Sequence, residues 1–120
     1  MGFRLYVNDN GDLCCGKLFS YVTEHLESLQ YLLDIGVLDD YISDIDYGTP
    51  YEKAELVFDI YNCVDIELTY QQFRTFMLLY MCERYAYYLT CIITIKETVA
   101  DYTDIIKRTP VTDTIKLCWR

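Results

Sequence analysis

The sequence predicts an α+β domain: a small antiparallel sheet, made from an N-terminal hairpin and a C-terminal strand, packed on three or four helices. Three observations predict it. Residues 3–8 alternate apolar and polar side chains ahead of an Asn-Gly pair. Two segments open with helix-capping boxes. Residues 115–119 return to strand alternation. The 120 residues suit one domain with a continuous core, and 52% of them are hydrophobic.

Phe3, Leu5 and Val7 alternate with Arg4, Tyr6 and Asn8, and Asn10-Gly11 then accepts the positive φ angles of a type I′ turn. Strands are expected at 3–8 and 13–19, with Val7 opposite Cys14, Leu5 opposite Gly16 and Phe3 opposite Leu18. Helical spacing follows in Val22, Leu26, Leu29 and Leu33, with Thr23 as N-cap and Gly36 just past the end. Residues 35–46 read as one helical turn and an acidic loop. Thr49-Pro50-Tyr51-Glu52 is a capping box with proline at the first helical position. It opens a helix to about Asn62 with Tyr51, Ala54, Val57, Phe58 and Tyr61 on one stripe. Val64–Leu68 alternates as a short edge strand. Thr69-Tyr70-Gln71-Gln72 is a second capping box, and its helix turns Phe73, Phe76, Met77 and Tyr80 inward. Residues 90–107 are β-branched at first. Tyr88, Ile92, Ile95, Val99, Tyr102 and Ile106 keep helical spacing, so the segment reads as helix, bent near Thr90 and ending at Lys107-Arg108 before Pro110. Ile115, Leu117 and Trp119 form the closing strand.

Charge is the most informative global property. The formal net charge is -9, and residues 24–67 hold 12 acidic residues against one basic residue, Lys53. Such a field repels nucleic acid and anionic lipid and attracts basic protein surfaces. Direct nucleic-acid binding is therefore not expected. The most apolar run, residues 85–95, is too short to span a bilayer as a helix, so no membrane association is expected either. No apolar leader follows Met1-Gly2-Phe3-Arg4, and the six cysteines are expected to be reduced in a cytoplasmic protein.

Catalytic and cofactor motifs are thin. The one histidine, His25, could pair with Cys14 or Cys15, but nothing fixes their separation, and two strand cysteines with a surface histidine is the stronger reading. There is no C-x-x-C and no ligand spacing for zinc. The five glycines form no phosphate-binding cluster. Asp44, Asp46 and Glu55 fall at positions 1, 3 and 12 of a calcium loop, but Thr49 stands where glycine is required, and a solvated acidic loop is the better reading. No cofactor, metal or catalytic residue is expected.

The remaining constellation combines acids with tyrosines. Of the 13 tyrosines, Tyr41 and Tyr47 lie among Asp39, Asp40, Asp44, Asp46, Glu52, Glu55 and Asp59. Carboxylates make charge-assisted bonds to Arg and Lys, and tyrosine is a favoured interface residue. Together they imitate an anionic backbone with stackable rings. Those nine residues are the expected partner-binding site. The alternative is that the acids form a solvated face and the rings edge the core.

In general type the chain resembles the small acidic proteins that phages use against bacterial defence, anti-CRISPR proteins among them. The short domain, the acidic run from Asp34 to Glu67 and the abundant tyrosine carry the resemblance. It implies a non-catalytic inhibitor that occupies a basic, nucleic-acid-binding host protein surface, acting in the host cytoplasm. It brings no site residues with it, because such proteins share no residue pattern. A structural or assembly subunit, a homodimer built on surplus aromatic surface such as Tyr85, Tyr87 and Tyr88, is the second expectation.

Overall fold

The computed structural model describes residues 5–7, 12–14, 25–87 and 92–120. They form an α+β fold, as the sequence predicts. The strands are β1 (Leu5–Val7), β2 (Asp12–Cys14), β3 (Val64–Thr69) and β4 (Thr114–Trp119), in the spatial order β2-β1-β4-β3, each antiparallel to its neighbours. The helices are α1 (Glu27–Asp34), α2 (Asp39–Ile42), α3 (Pro50–Ile60), α4 (Tyr70–Tyr87) and α5 (Ile92–Arg108). The closing strand is thus interior to the sheet, and β3 is an edge.

Period-two patterning gives the sheet two unlike faces. Leu5, Val7, Val64, Ile66, Leu68, Ile115, Leu117 and Trp119 are buried on one side. The register sets Val64 and Leu5 on either side of Trp119, and Ile66 and Val7 on either side of Leu117. Phe58 and Phe76 meet the Trp119 ring edge-on, with centroids 5.3 and 6.0 Å away. Side chains of this size each contribute about 1.5–3 kcal/mol on burial. The opposite face of β3 carries Asp65, Glu67 and Thr69, all exposed.

Both capping boxes form. Thr49 accepts from the Glu52 N–H while Glu52 accepts from the Thr49 N–H, and Pro50 opens α3. Thr69 and Gln72 do the same at α4, linking β3 to that helix without a loop. Phe73, Phe76, Met77 and Tyr80 all face the core. Gly36 follows α1 with φ +82°, the left-handed conformation that lets the helix end there.

Four expectations need correction. Leu5, not Val7, pairs with Cys14, and Tyr6 pairs with Asp12 across a register shift. The other edge of β1 is committed to β4, and an irregularity in the hairpin absorbs the mismatch. In α1, Leu32 is buried and Leu33 half-buried. α1 begins at Glu27 with Leu26 in the extended N-cap conformation, so Thr23 does not cap it. On α5, Val99 is 43% exposed and Thr98 takes the inward position. The Asn10-Gly11 turn and the bend at Thr90 lie outside the described residues; α4 and α5 fold back on each other, with the Phe73 and Tyr102 rings 5.8 Å apart.

Candidate functional site

The acidic segment occupies α2, the loop after it, and α3. Asp39, Asp40, Asp44, Asp46, Tyr47, Glu52 and Asp59 are exposed, and Glu55 is half-exposed. Among the described residues no lysine or arginine lies within ion-pair distance of these carboxylates; the ion pair seen elsewhere joins Arg108 to Asp104 on α5. Spacing of three and four residues places Glu52, Glu55 and Asp59 along one ridge of α3. Their mutual repulsion is felt: partial burial first, then the charges of Glu52 and Asp59, raise the Glu55 carboxyl above its ordinary value, with His25 opposing. Tyr47, 64% exposed, and Ile60, 53% exposed, flank the acids with uncovered apolar surface.

Not every expected contact residue is available. Tyr41 is half-buried, and its hydroxyl accepts from the Asp65 N–H (2.9 Å) and donates to the Asp65 carbonyl (3.2 Å). One phenol thereby satisfies both backbone groups that Asp65 turns toward the free edge of β3, as a neighbouring strand would. Tyr61 packs edge-on against Tyr41 at 5.0 Å, and its hydroxyl lies 3.3 Å from the Asp44 carboxylate, to which it donates. Glu52 is held by its capping box. The groups left facing outward are Asp39, Asp40, Asp46, Tyr47, Glu55 and Asp59.

A carboxylate outside this segment behaves quite differently. Glu83 of α4 accepts from the Ser28 N–H at 2.8 Å and from the Ser28 hydroxyl. Ser28 is fully buried in the first turn of α1, and Leu26, the N-cap residue, has no side-chain cap of its own. The Leu26 N–H instead donates to the Tyr51 hydroxyl at 2.8 Å. The first turn of α1 is therefore capped in trans by α3 and α4. His25 stacks on the Tyr51 ring at 3.9 Å, a packing role rather than a partnership with a thiol among the described residues.

Sequence spacing did not anticipate a second cluster, at the other end of the Tyr41 clasp. The β3–β4 register brings Asp65 opposite Cys118 and carries Cys63, one residue before β3, beside them. The two sulfurs are 3.6 Å apart, and the Cys63 thiol donates to Asp65 Oδ2 at 3.4 Å. Arg120 Nε donates to Cys118 Sγ at 2.9 Å. The Cys118 thiol is pushed up to about 12, by burial first and then by its hydrogen bonds to Asp65 and Cys63, with Arg120 pulling the other way. Asp65 is held below the usual carboxylate range, mainly by the hydrogen bond from Cys118, with Cys63 and the Arg120 charge adding to it against partial burial. A groove of about 410 Å³ runs from this cluster along the open side of the sheet, lined by Asp65, Glu67, Lys116, Cys118 and Arg120 among others. The only forecast in the sequence was local: Cys63 and Asp65 flank a strand residue. Cys118 lies 55 positions further on.

No helix among the described residues is long and apolar enough to cross a membrane. No protein-family model, curated protein or solved structure matches the chain.

Proposed function

We propose that the chain is a non-catalytic binding protein that presents the outward carboxylates of α2 and α3 to a basic, nucleic-acid-binding protein surface. It would act as an inhibitor of the anti-defence type within a host cytoplasm. One observation carries the reading: these carboxylates stand in solvent with no described lysine or arginine to neutralise them, beside uncovered Tyr47 and Ile60. Maintaining such a field destabilises the monomer through self-repulsion; at Glu55, burial first and then the charges of Glu52 and Asp59 raise the carboxyl. A cationic partner relieves that repulsion. The homodimer reading rests on Tyr85, Tyr87 and Tyr88, whose side chains lie outside the described residues.

The test is capture from host cytoplasm by the immobilised chain at low and high salt, alongside a variant with Asp39, Asp40, Asp46 and Asp59 all changed to Lys. Salt-sensitive capture of a nucleic-acid-binding protein by the wild type, and none by a folded quadruple variant, is the expected result. Equal capture by both chains would refute the reading.

A further inference from the structure

We propose that Cys63, Asp65 and Cys118 form a three-ligand site for a thiophilic divalent cation, zinc above all, with its fourth position open to the groove along β3 and β4. The inference is independent of the acidic surface and its partner.

The geometry comes first. The three donor atoms lie within 4.8 Å of one another. In a tetrahedral zinc site with Zn–S of about 2.3 Å and Zn–O of about 2.0 Å, sulfur pairs stand about 3.8 Å apart and sulfur–oxygen pairs about 3.5 Å apart. Here Cys63 Sγ and Cys118 Sγ are 3.6 Å apart, and Cys63 Sγ and Asp65 Oδ2 are 3.4 Å apart. Two of the three donor–donor edges thus come close to those of the required polyhedron, and the third, between Cys118 Sγ and the Asp65 carboxylate, is within 4.8 Å. The two thiols would give their protons to solvent as the metal binds.

Charge and rigidity agree with this. Two thiolates, one carboxylate and a divalent cation sum to one negative charge, which the Arg120 guanidinium, already donating to Cys118 Sγ, balances. Such an N–H···S bond is the usual outer-shell support of a metal thiolate. Two of the ligands sit on paired strands in fixed register, and the Tyr41 clasp holds the Asp65 backbone from the other side. Two sulfurs with one oxygen select zinc over calcium or magnesium, which require oxygen shells. Asp65 and Cys118 also line the groove, through which an exogenous donor or a side chain of a bound partner could complete the set.

Cobalt(II) is the probe, added under reducing, oxygen-free conditions to the full chain. One equivalent should produce thiolate-to-cobalt charge transfer and the visible absorption of a four-coordinate ion, and zinc should displace it. Cys63 is exposed, so Cys63→Ser should leave the circular dichroism unchanged and abolish the charge-transfer band. Asp65→Asn should weaken binding at least tenfold. Cys82→Ser, an exposed cysteine on α4, should change nothing. The proposal is overturned if no charge-transfer band appears, if the band persists at full strength in Cys63→Ser, or if Cys63 and Cys118 form a disulfide that survives the reductant.

Discussion

Two sets of carboxylates in this molecule do opposite things. Glu83 points inward and donates its charge to the fold, closing the first turn of α1 through Ser28. Asp39, Asp40, Asp46 and Asp59 point outward, and no described cation answers them. The first set holds helices together, and its removal should destabilise the fold. The second set stresses the monomer, and its removal should be neutral or stabilising. A carboxylate in a small acidic protein is therefore informative only once its hydrogen-bond partners are known.

The contrast can be broken most severely at the surface. Changing Asp39, Asp40, Asp46 and Asp59 to Lys together should leave the thermal transition in place while abolishing partner capture. Unfolding of that variant would show that the outward acids are structural after all. Next in size is Glu83→Ala. It strips the charged acceptor from two donors on buried Ser28, and hydrogen bonds to charged groups are worth about 1.5–3 kcal/mol each. Chemical denaturation should show a loss of about 2–4 kcal/mol, with coupling between the two effects keeping them from adding fully. A loss below about 0.5 kcal/mol would mean that water caps α1 equally well.

Tyr41→Phe removes the hydroxyl that serves both backbone groups of Asp65 and should cost about 1–2 kcal/mol by the same measurement. Hydrogen exchange at the Asp65 amide should accelerate in parallel. The smallest effect is expected from Glu55→Gln, and its sign is opposite. Because folding raises the Glu55 carboxyl, its contribution to stability is present below the ordinary glutamate range, near about pH 4, and is lost as pH rises through the raised folded value. At neutral pH the variant should be more stable than the wild type by about 0.2–0.5 kcal/mol, the scale of like-charge pairs on a helix. The gain should vanish in acid and shrink with salt.

What the sequence disclosed follows the range of the interactions involved. Thr49 with Glu52, Thr69 with Gln72, and Lys107-Arg108 ahead of Pro110 each resolve within a few residues, and all three helix ends stand where local chemistry sets them. The alternation of residues 64–68 and 115–119 marked both strands of the best-paired ladder. The hairpin register was not legible, because β1 answers to β4 on its other side as well as to its own turn. The inward position of Thr98 was hidden for a related reason: hydropathy favours Val99, while the packing of α5 on its neighbours sets the helix rotation.

The candidate sites divide the same way. Exposure of Asp39, Asp40, Asp46 and Tyr47 could be expected from a polar loop. That Tyr41 would clasp Asp65 across 24 residues could not, and this contact converts an expected interface ring into a structural one. The cluster of Cys63, Asp65 and Cys118 has no spacing signature at all, because strand register, rather than chain proximity, assembles it.

The affinity of the purified captured protein for this chain, titrated with salt and then with single-stranded DNA, tests the central claim most directly. Binding that falls steeply as salt rises, and that single-stranded DNA displaces competitively, is the predicted result. Affinity indifferent to both would contradict it.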